Sequence, residues 1–163
     1  MSHVVHRRIC VPMNIVAPAY GNVQMTQSVI EQYIMRTQHN TLCSEVPNSL
    51  VTAVREVLVK RVHACDIIGM NMHVPVCFTV DVCVPMVPDE AVITYVFDTG
   101  VYAVSDFKEV LVVASGATDK GVMQCCGVPC VPGHSIAYQP IEWKLGTRDT
   151  RHVFLIVAKH KCT

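Results

Sequence analysis

The stretch AVITYVFDTGVYAV, residues 91–104, decides how the second half of the chain folds. Its two ends are rich in β-branched and aromatic residues, and the DTG at residues 98–100 has turn chemistry, so the stretch predicts a β-hairpin. Further strands are predicted at residues 109–114, 136–145 and 152–158, and the last two form a hairpin around residues 146–149. Five short strands with turns between them suit a small OB-type β-barrel.

The first half of the chain predicts a helix lying on an antiparallel sheet. Residues 7–13 are an apolar strand candidate, and the turn sequence Pro18-Ala19-Tyr20-Gly21 follows. Asn22 is a plausible cap for a helix that places Val29, Ile30, Tyr33 and Ile34 on one face and ends near residues 39–40. Residues 74–84, VPVCFTVDVCV, alternate as a strand does.

Two proline residues mark the domain boundary. Pro85 and Pro88 interrupt the apolar run, and polar residues follow at 89–90. We therefore expect an N-terminal domain at residues 1–86 and a barrel domain at residues 87–163. Within the first domain, residues 50–62 are ambiguous, because their apolar spacing slightly favours a helix while their β-branched content favours a strand.

The composition limits the classes of function. Hydrophobic residues make up 51% of the chain and charged residues 16%, which provides ample material for a core and indicates surfaces covered by partners. The 13 basic residues equal the 13 acidic ones, so no broad electrostatic attraction for nucleic acid is expected. We expect no membrane span, since no apolar run approaches about 18 residues. The nine cysteines have irregular spacing and predict reduced, buried thiols.

The catalytic and metal-binding motifs that would indicate an enzyme are missing. Cys125, Cys126, Cys130 and His134 are the one ligand-like cluster, but no pair has the CxxC spacing of structural zinc sites. There is no P-loop, no dinucleotide fingerprint and no nucleophile elbow. We predict a non-catalytic protein without a metal or cofactor.

Three strings carry a resemblance to a known family. Residues 78–85 form a strand ending in proline that runs into residues 90–96, a barrel start. Residues 96–103, VFDTGVYA, resemble an S1 hairpin, and residues 141–148 with 153–156 resemble a closing hairpin. In this order the chain resembles the larger stalk subunit of multi-subunit RNA polymerases, which has a tip domain and an S1-like OB domain. The resemblance also implies that residues 50–62 form a strand.

The resemblance implies partners and sites. The partners would be the smaller stalk subunit, the polymerase core and, weakly, nascent RNA, in the nucleus or, for a viral form, the cytoplasm. The implied core-docking residues are Pro18, Ala19, Tyr20, Gly21, Val62, His63, Ala64, Cys65 and Asp66. The candidate RNA-binding residues are Tyr95, Phe97, Tyr102, Lys144, Arg148 and Arg151.

Two alternatives stay open at this point. Strand alternation puts Tyr95 and Phe97 on one face, which is equally compatible with base stacking and with filling the barrel core. The function expected second is a free-standing OB-fold module that binds RNA or another single strand.

Overall fold

The chain folds into two compact units, Met1–Cys83 and Val84–Thr163, here called unit 1 and unit 2. The structure is a computed structural model that describes residues 2–59, 65–114, 123–125 and 127–161. It is an α+β protein made mostly of sheet, which confirms the predicted fold class at this level. Among the described residues, no helix is both long and apolar enough to cross a membrane.

Unit 1 is a sheet covered by a helix. In chain order its elements are β1 (Ser2–Pro12), α1 (Met13–Val16), a 3-10 turn (Ala17–Ala19), α2 (Val23–Gln38), β2 (Leu50–Val59), β3 (Asp66–Ile68) and β4 (Asn71–Cys83). The central strand is β4, which pairs antiparallel with β1, β2 and β3. One face of the sheet is buried with α2 in a core that includes Val5, Phe78 and Val80.

The predicted helix cap is confirmed. The Asn22 side chain accepts a 3.1 Å hydrogen bond from the Met25 backbone N–H, which satisfies one of the unpaired donors at the start of α2. Ile30 and Ile34 are fully buried one turn apart, as the predicted apolar face requires. The first strand is longer than predicted and begins at Ser2.

Residues 50–59 form a strand, so the resemblance gave the right answer and the apolar spacing the wrong one. The pairing of β2 with β4 is irregular between Val51 and Ala53 and again between Val54 and Val57. Each irregularity shifts the alternation of side chains between the two faces. The apolar residues of β2 therefore lose the two-residue period that identifies a strand in sequence.

Unit 2 contains a closed five-stranded barrel. Its elements are β5 (Asp89–Phe97), β6 (Gly100–Ser105), β7 (Lys108–Val113), β8 (Gln124–Cys125), β9 (Val128–Pro129), β10 (Ser135–Arg148) and β11 (Arg151–His160). The barrel order is β10-β11-β7-β6-β5, and β10 closes it by pairing with β5. All pairs are antiparallel except β7 with β11, which run parallel. Tyr138, Phe154 and Val101 are fully buried in this unit.

The turn of the last hairpin lies at the end of the expected segment 146–149. Gly146 is part of β10, and the turn is made by Asp149 and Thr150, whose φ angles are 46° and 69°. Two successive positive φ angles match the twist of a two-residue hairpin, although glycine or asparagine is the usual residue there. This turn sets Arg148 directly opposite Arg151.

Candidate functional site

A β-bulge in β5 turns two aromatic side chains out of the barrel. Ile93 pairs with Ala103 in β6 and is buried, but the next pair joins Tyr95 to Tyr102, so Thr94 is an extra residue in β5. An extra residue reverses the faces of all side chains beyond it. Tyr95 and Phe97 are consequently 60% and 50% exposed, which excludes the alternative that they fill the core.

Three of the candidate RNA-binding residues form one aromatic cluster on the outer face of the barrel. The Tyr95 ring centroid lies 6.5 Å from that of Phe97 and 6.3 Å from that of Tyr102. Tyr102 in turn is the cross-strand neighbour of Leu111, which is also exposed. Exposed aromatic rings on a barrel face are the surfaces on which unstacked bases can stack.

A polar network joins this aromatic cluster to the hairpin arginine. The Tyr102 hydroxyl donates a 2.6 Å hydrogen bond to Oε2 of Glu109, and Nη1 of Arg148 donates a 3.1 Å hydrogen bond to Oε1 of the same carboxylate. Desolvation and the neighbouring Glu109 carboxylate raise the pKa of Tyr102 to about 12. The Glu109 carboxylate thus neutralises one of the cations expected to contact phosphate.

A groove of about 430 Å³ runs beside the network on the outer face. Its lining residues are Tyr102, Glu109, Leu111, Glu142, Trp143, Lys144, Leu155, Ile156 and Val157. The groove therefore combines two aromatic side chains and several aliphatic ones with two carboxylates and one ammonium group. A cavity of this size is in the range of small-ligand sites.

Arg151 does not line this groove but a second cavity next to it. Together with Arg148, Glu109, Asp106 and Asp149 it lines a shallow cavity of about 600 Å³. The three carboxylates outnumber the two guanidinium groups, so the cavity is not a concentrated anion site. Of the six candidate RNA-binding residues, Tyr102 and Lys144 line the groove, Tyr95 and Phe97 belong to the adjoining aromatic cluster, and Arg148 and Arg151 line the second cavity.

The two predicted docking segments of unit 1 meet in one cavity where the structure describes them. Tyr20 and Gly21 line a space of about 310 Å³ together with Cys65 and Ile67. Pro18, two residues before Tyr20, and Asp66, next to Cys65, are both exposed. Asp66 forms an ion pair with Arg8. Val62, His63 and Ala64 lie outside the described residues.

One docking assignment is wrong. Ala19 is only 4% exposed, and its carbonyl accepts a 2.8 Å hydrogen bond from the Thr26 hydroxyl. The 3-10 turn tucks Ala19 under the start of α2, which leaves Tyr20 to face solvent. Ala19 is therefore a packing residue of unit 1.

Further apolar side chains, which the sequence analysis did not select, are exposed immediately after the two predicted docking segments. Besides Tyr20, the exposed members are Val23, Ile67, Ile68 and Met70, and we call these five residues the apolar tip surface. Met70 is 77% exposed, although its carbonyl is held by the Met13 N–H at 2.8 Å. The string DIIGM at residues 66–70 could have indicated this exposure, because it places three large apolar residues in the short strand β3 and the turn that follows it.

Glu109 and Glu142 are the charged groove residues that the sequence analysis missed. Both lie on outer-face positions between residues of apolar strands. Strand alternation together with the strand pairing places them on the same face as the candidate RNA-binding residues Tyr102 and Lys144. The pairing, and hence their proximity, was not readable from the chain.

The cysteine cluster does not form a thiol site as a whole. Cys130 is disulfide-bonded, so the prediction that the thiols are reduced is wrong there. Cys43 and Cys77 are free and buried as expected, whereas Cys10 is free but exposed, and Cys83 is only partly buried. Cys126 and the side chain of Cys125 lie outside the described residues, and His134 is exposed. Within the described part of the chain, no group of three or more His, Cys, Asp or Glu side chains is placed to hold a metal ion.

Comparison with known proteins gives no family assignment. No model of a known protein family matches this chain, and no curated protein matches it significantly.

Proposed function

We propose that this protein is a non-catalytic stalk subunit of a DNA-dependent RNA polymerase. Unit 1 acts as the tip domain, which docks to the polymerase core and the smaller stalk partner. Unit 2 is an S1-like OB barrel, which contacts nascent RNA weakly. The protein then works in the nucleus or, if it is viral, in the cytoplasm.

The strand order of the barrel supports the OB assignment. A meander of β5, β6 and β7 is followed by a parallel pairing of β7 with β11, while β10 pairs with both β11 and β5. This is a partly Greek-key, five-stranded closed barrel. Ligands of such barrels bind on the face of the second and third strands and the adjoining loops. In this chain, those strands carry Tyr102, Glu109 and Leu111.

The apolar tip surface is the observation that carries the docking proposal. It presents Tyr20, Ile67 and Met70 to solvent at 62%, 50% and 77% exposure. Clustered apolar side chains of this size mark protein interfaces on soluble domains. Two segments far apart in sequence supply these residues, and Tyr20, Val23 and Ile67 line one cavity.

The charge pattern supports weak RNA binding. Arg148 is neutralised by Glu109, and the groove contains Glu142 beside Lys144. Few phosphates are neutralised by such a face, so base stacking supplies most of the affinity.

Affinity purification tests the docking proposal. A tagged chain is expressed in the cells that normally make it, and the captured proteins are identified by mass spectrometry. We expect the large catalytic polymerase subunits with the wild type, and their loss with Ile67→Glu, because the new charge would be desolvated without a partner.

Leu58→Glu is the matched control. Leu58 is 54% exposed on β2 and pairs with Cys77, away from the apolar tip surface. This variant should retain the polymerase subunits. Capture of those subunits by Ile67→Glu at the wild-type level would contradict the docking surface, and their absence from the wild-type sample would contradict the stalk assignment.

A free-standing OB module is the second candidate. The exposed cluster of Tyr95, Phe97 and Tyr102 favours it, since stacking needs no second subunit. Strong binding of single-stranded RNA by the purified chain, with no polymerase subunit captured from cells, would favour this candidate.

A further inference from the structure

We infer that the groove on the outer face of the barrel is a binding site for a guanine base of single-stranded RNA. The inference rests on the RNA contact in the proposed function and adds base selectivity to it. It depends on the placement of Glu142 and Lys144 relative to the aromatic cluster.

Strand pairing fixes the direction in which Glu142 and Lys144 point. In β11, Ile156 is buried, so its neighbours Leu155 and Val157 face outward. Lys144 pairs with Leu155, and Glu142 pairs with Val157. Both charged side chains therefore stand on the outer face and line the groove.

The two charged groups are free to bind a ligand. Both residues are exposed, and within the described part of the chain neither side chain forms a hydrogen bond or ion pair. Glu109, on the opposite wall, differs in this respect, because its two oxygens already accept from Tyr102 and Arg148. Glu142 is therefore the available acceptor of the groove and Lys144 its available donor.

The order of these groups matches the pairing edge of guanine. Glu142 and Lys144 are two residues apart on one strand face, which sets their Cα atoms about 7 Å apart. The guanine edge presents two adjacent donors, N1–H and the N2 amino group, next to the O6 acceptor. A carboxylate accepts both donors, while an ammonium group donates to O6. Adenine, cytosine and uracil each offer the carboxylate a single donor group on that edge.

The remaining walls of the groove suit the flat faces of the base. Tyr102 supplies an aromatic ring, and Leu111 and Leu155 supply aliphatic surface. Bases in single strands are commonly read by such stacking combined with hydrogen bonds to their pairing edge. A site of this kind selects a base without a high local density of positive charge.

Fluorescence anisotropy with the full chain tests the inference. The probes are short uridine oligoribonucleotides that carry one central guanosine, inosine or adenosine. We expect the guanosine probe to bind roughly tenfold more tightly than the adenosine probe, as for a bidentate base contact. Inosine, which lacks the N2 amino group, should lie between them.

Two variants with the same change of charge identify the residue responsible. Glu142→Gln should abolish the preference for guanosine over adenosine. Glu90→Gln is the control, because Glu90 is exposed on β5 outside the groove lining, and it should keep the preference.

The possible failures separate this inference from the proposed function. Equal affinity for the three probes, or a preference that persists in Glu142→Gln, would overturn guanine recognition while leaving RNA binding intact. If no probe bound at all, guanine recognition and the RNA contact of the barrel would both be overturned. Polymerase docking by unit 1 would still be decided by the affinity purification.

Discussion

Arg148 is bonded to Glu109 across 39 residues of chain, and the same carboxylate holds the hydroxyl of Tyr102. This bond holds the Arg148 guanidinium group, which would otherwise be free to contact a phosphate. We expect Glu109→Gln to bind single-stranded RNA more tightly than the wild type. The plot of log affinity against log salt should become steeper by about 0.7, the value for one added phosphate contact on a single strand. Unchanged slopes in a salt titration would show that Arg148 does not reach the RNA backbone.

The phenol of Tyr102 should ionise late. Burial and Glu109 raise its pKa to about 12 from 10.0, so the folded state retains the proton that the unfolded state loses first. The resulting stabilisation is complete below pH 10.0 and is lost as the pH rises towards about 12. Ultraviolet titration of the wild type and Tyr102→Phe should show one late phenolate missing from the variant. If the difference spectrum instead titrates near pH 10.0, the network with Glu109 does not form in solution.

Acid should weaken unit 1 through Glu45. The Arg7 guanidinium donates hydrogen bonds to this carboxylate and lowers its pKa to about 2 from 4.5. The stabilisation is therefore present above pH 4.5 and disappears as the pH falls through about 2. In urea unfolding, Glu45→Gln should be less stable than the wild type at neutral pH, and the two should converge near pH 2. Glu56→Gln, at an exposed position of β2, is the control, and its free energy of unfolding should show the same pH dependence as that of the wild type.

Two glycine residues of the barrel should respond differently to alanine. A Cβ atom at Gly100 would collide with the backbone carbonyl of Val112, which cannot move without disturbing β7. At Gly146 the nearest atom is Cδ1 of Leu155 at 2.8 Å, the end of a flexible side chain. Gly100→Ala should cost about 1–3 kcal/mol of unfolding free energy, and Gly146→Ala should cost less. Thermal denaturation of both variants checks the order, and a larger loss at Gly146 would contradict this packing.

The bulge in β5 makes a prediction about neighbouring residues. Tyr95 is 60% exposed and Ile93 is 3% exposed, although simple alternation would put both on one face. Tyr95→Ala should change the unfolding free energy by only about 0.5 kcal/mol, whereas Ile93→Ala should cost about 2–5 kcal/mol. Among the molecules that remain folded, Tyr95→Ala should lose more RNA affinity than Ile93→Ala. A large loss of stability in Tyr95→Ala would mean that the ring is packed inside the barrel.

The parts of the fold that were readable from sequence are those governed by local chemistry. Asn22 predicted the start of α2, and the alternation of apolar residues predicted β4. Both patterns could be recognised because helix capping and strand alternation depend on only a few neighbouring residues. The extra residue Thr94 was not readable, since a bulge arises from the pairing of two strands and leaves no local mark. The exact position of the turn at Asp149 and Thr150 was missed for a related reason, because neither residue is the glycine usually found at a positive φ.

The candidate site was partly predictable for the same reasons. The aromatic residues were identified as a set, but the choice between core and surface depended on the bulge. The shared position of Glu109 and Glu142 in one groove could not be predicted, because β7 and β10 are neighbours of β11 and not of each other. Of the apolar tip surface only Tyr20 was predicted, while Val23, Ile67, Ile68 and Met70 emerged from their exposure.

The parallel pairing of β7 with β11 also limits when unit 2 can fold during synthesis. Val110 finds its partner Ile156 only after the intervening chain has been translated, so the meander of β5 to β7 leaves the ribosome with one long edge unpaired. Closure of so long a loop is slow, and an open apolar edge invites association with other nascent chains. Until β11 has been translated, the edge of β7 that pairs with it is open, so unit 2 can complete its barrel only at the end of its own synthesis.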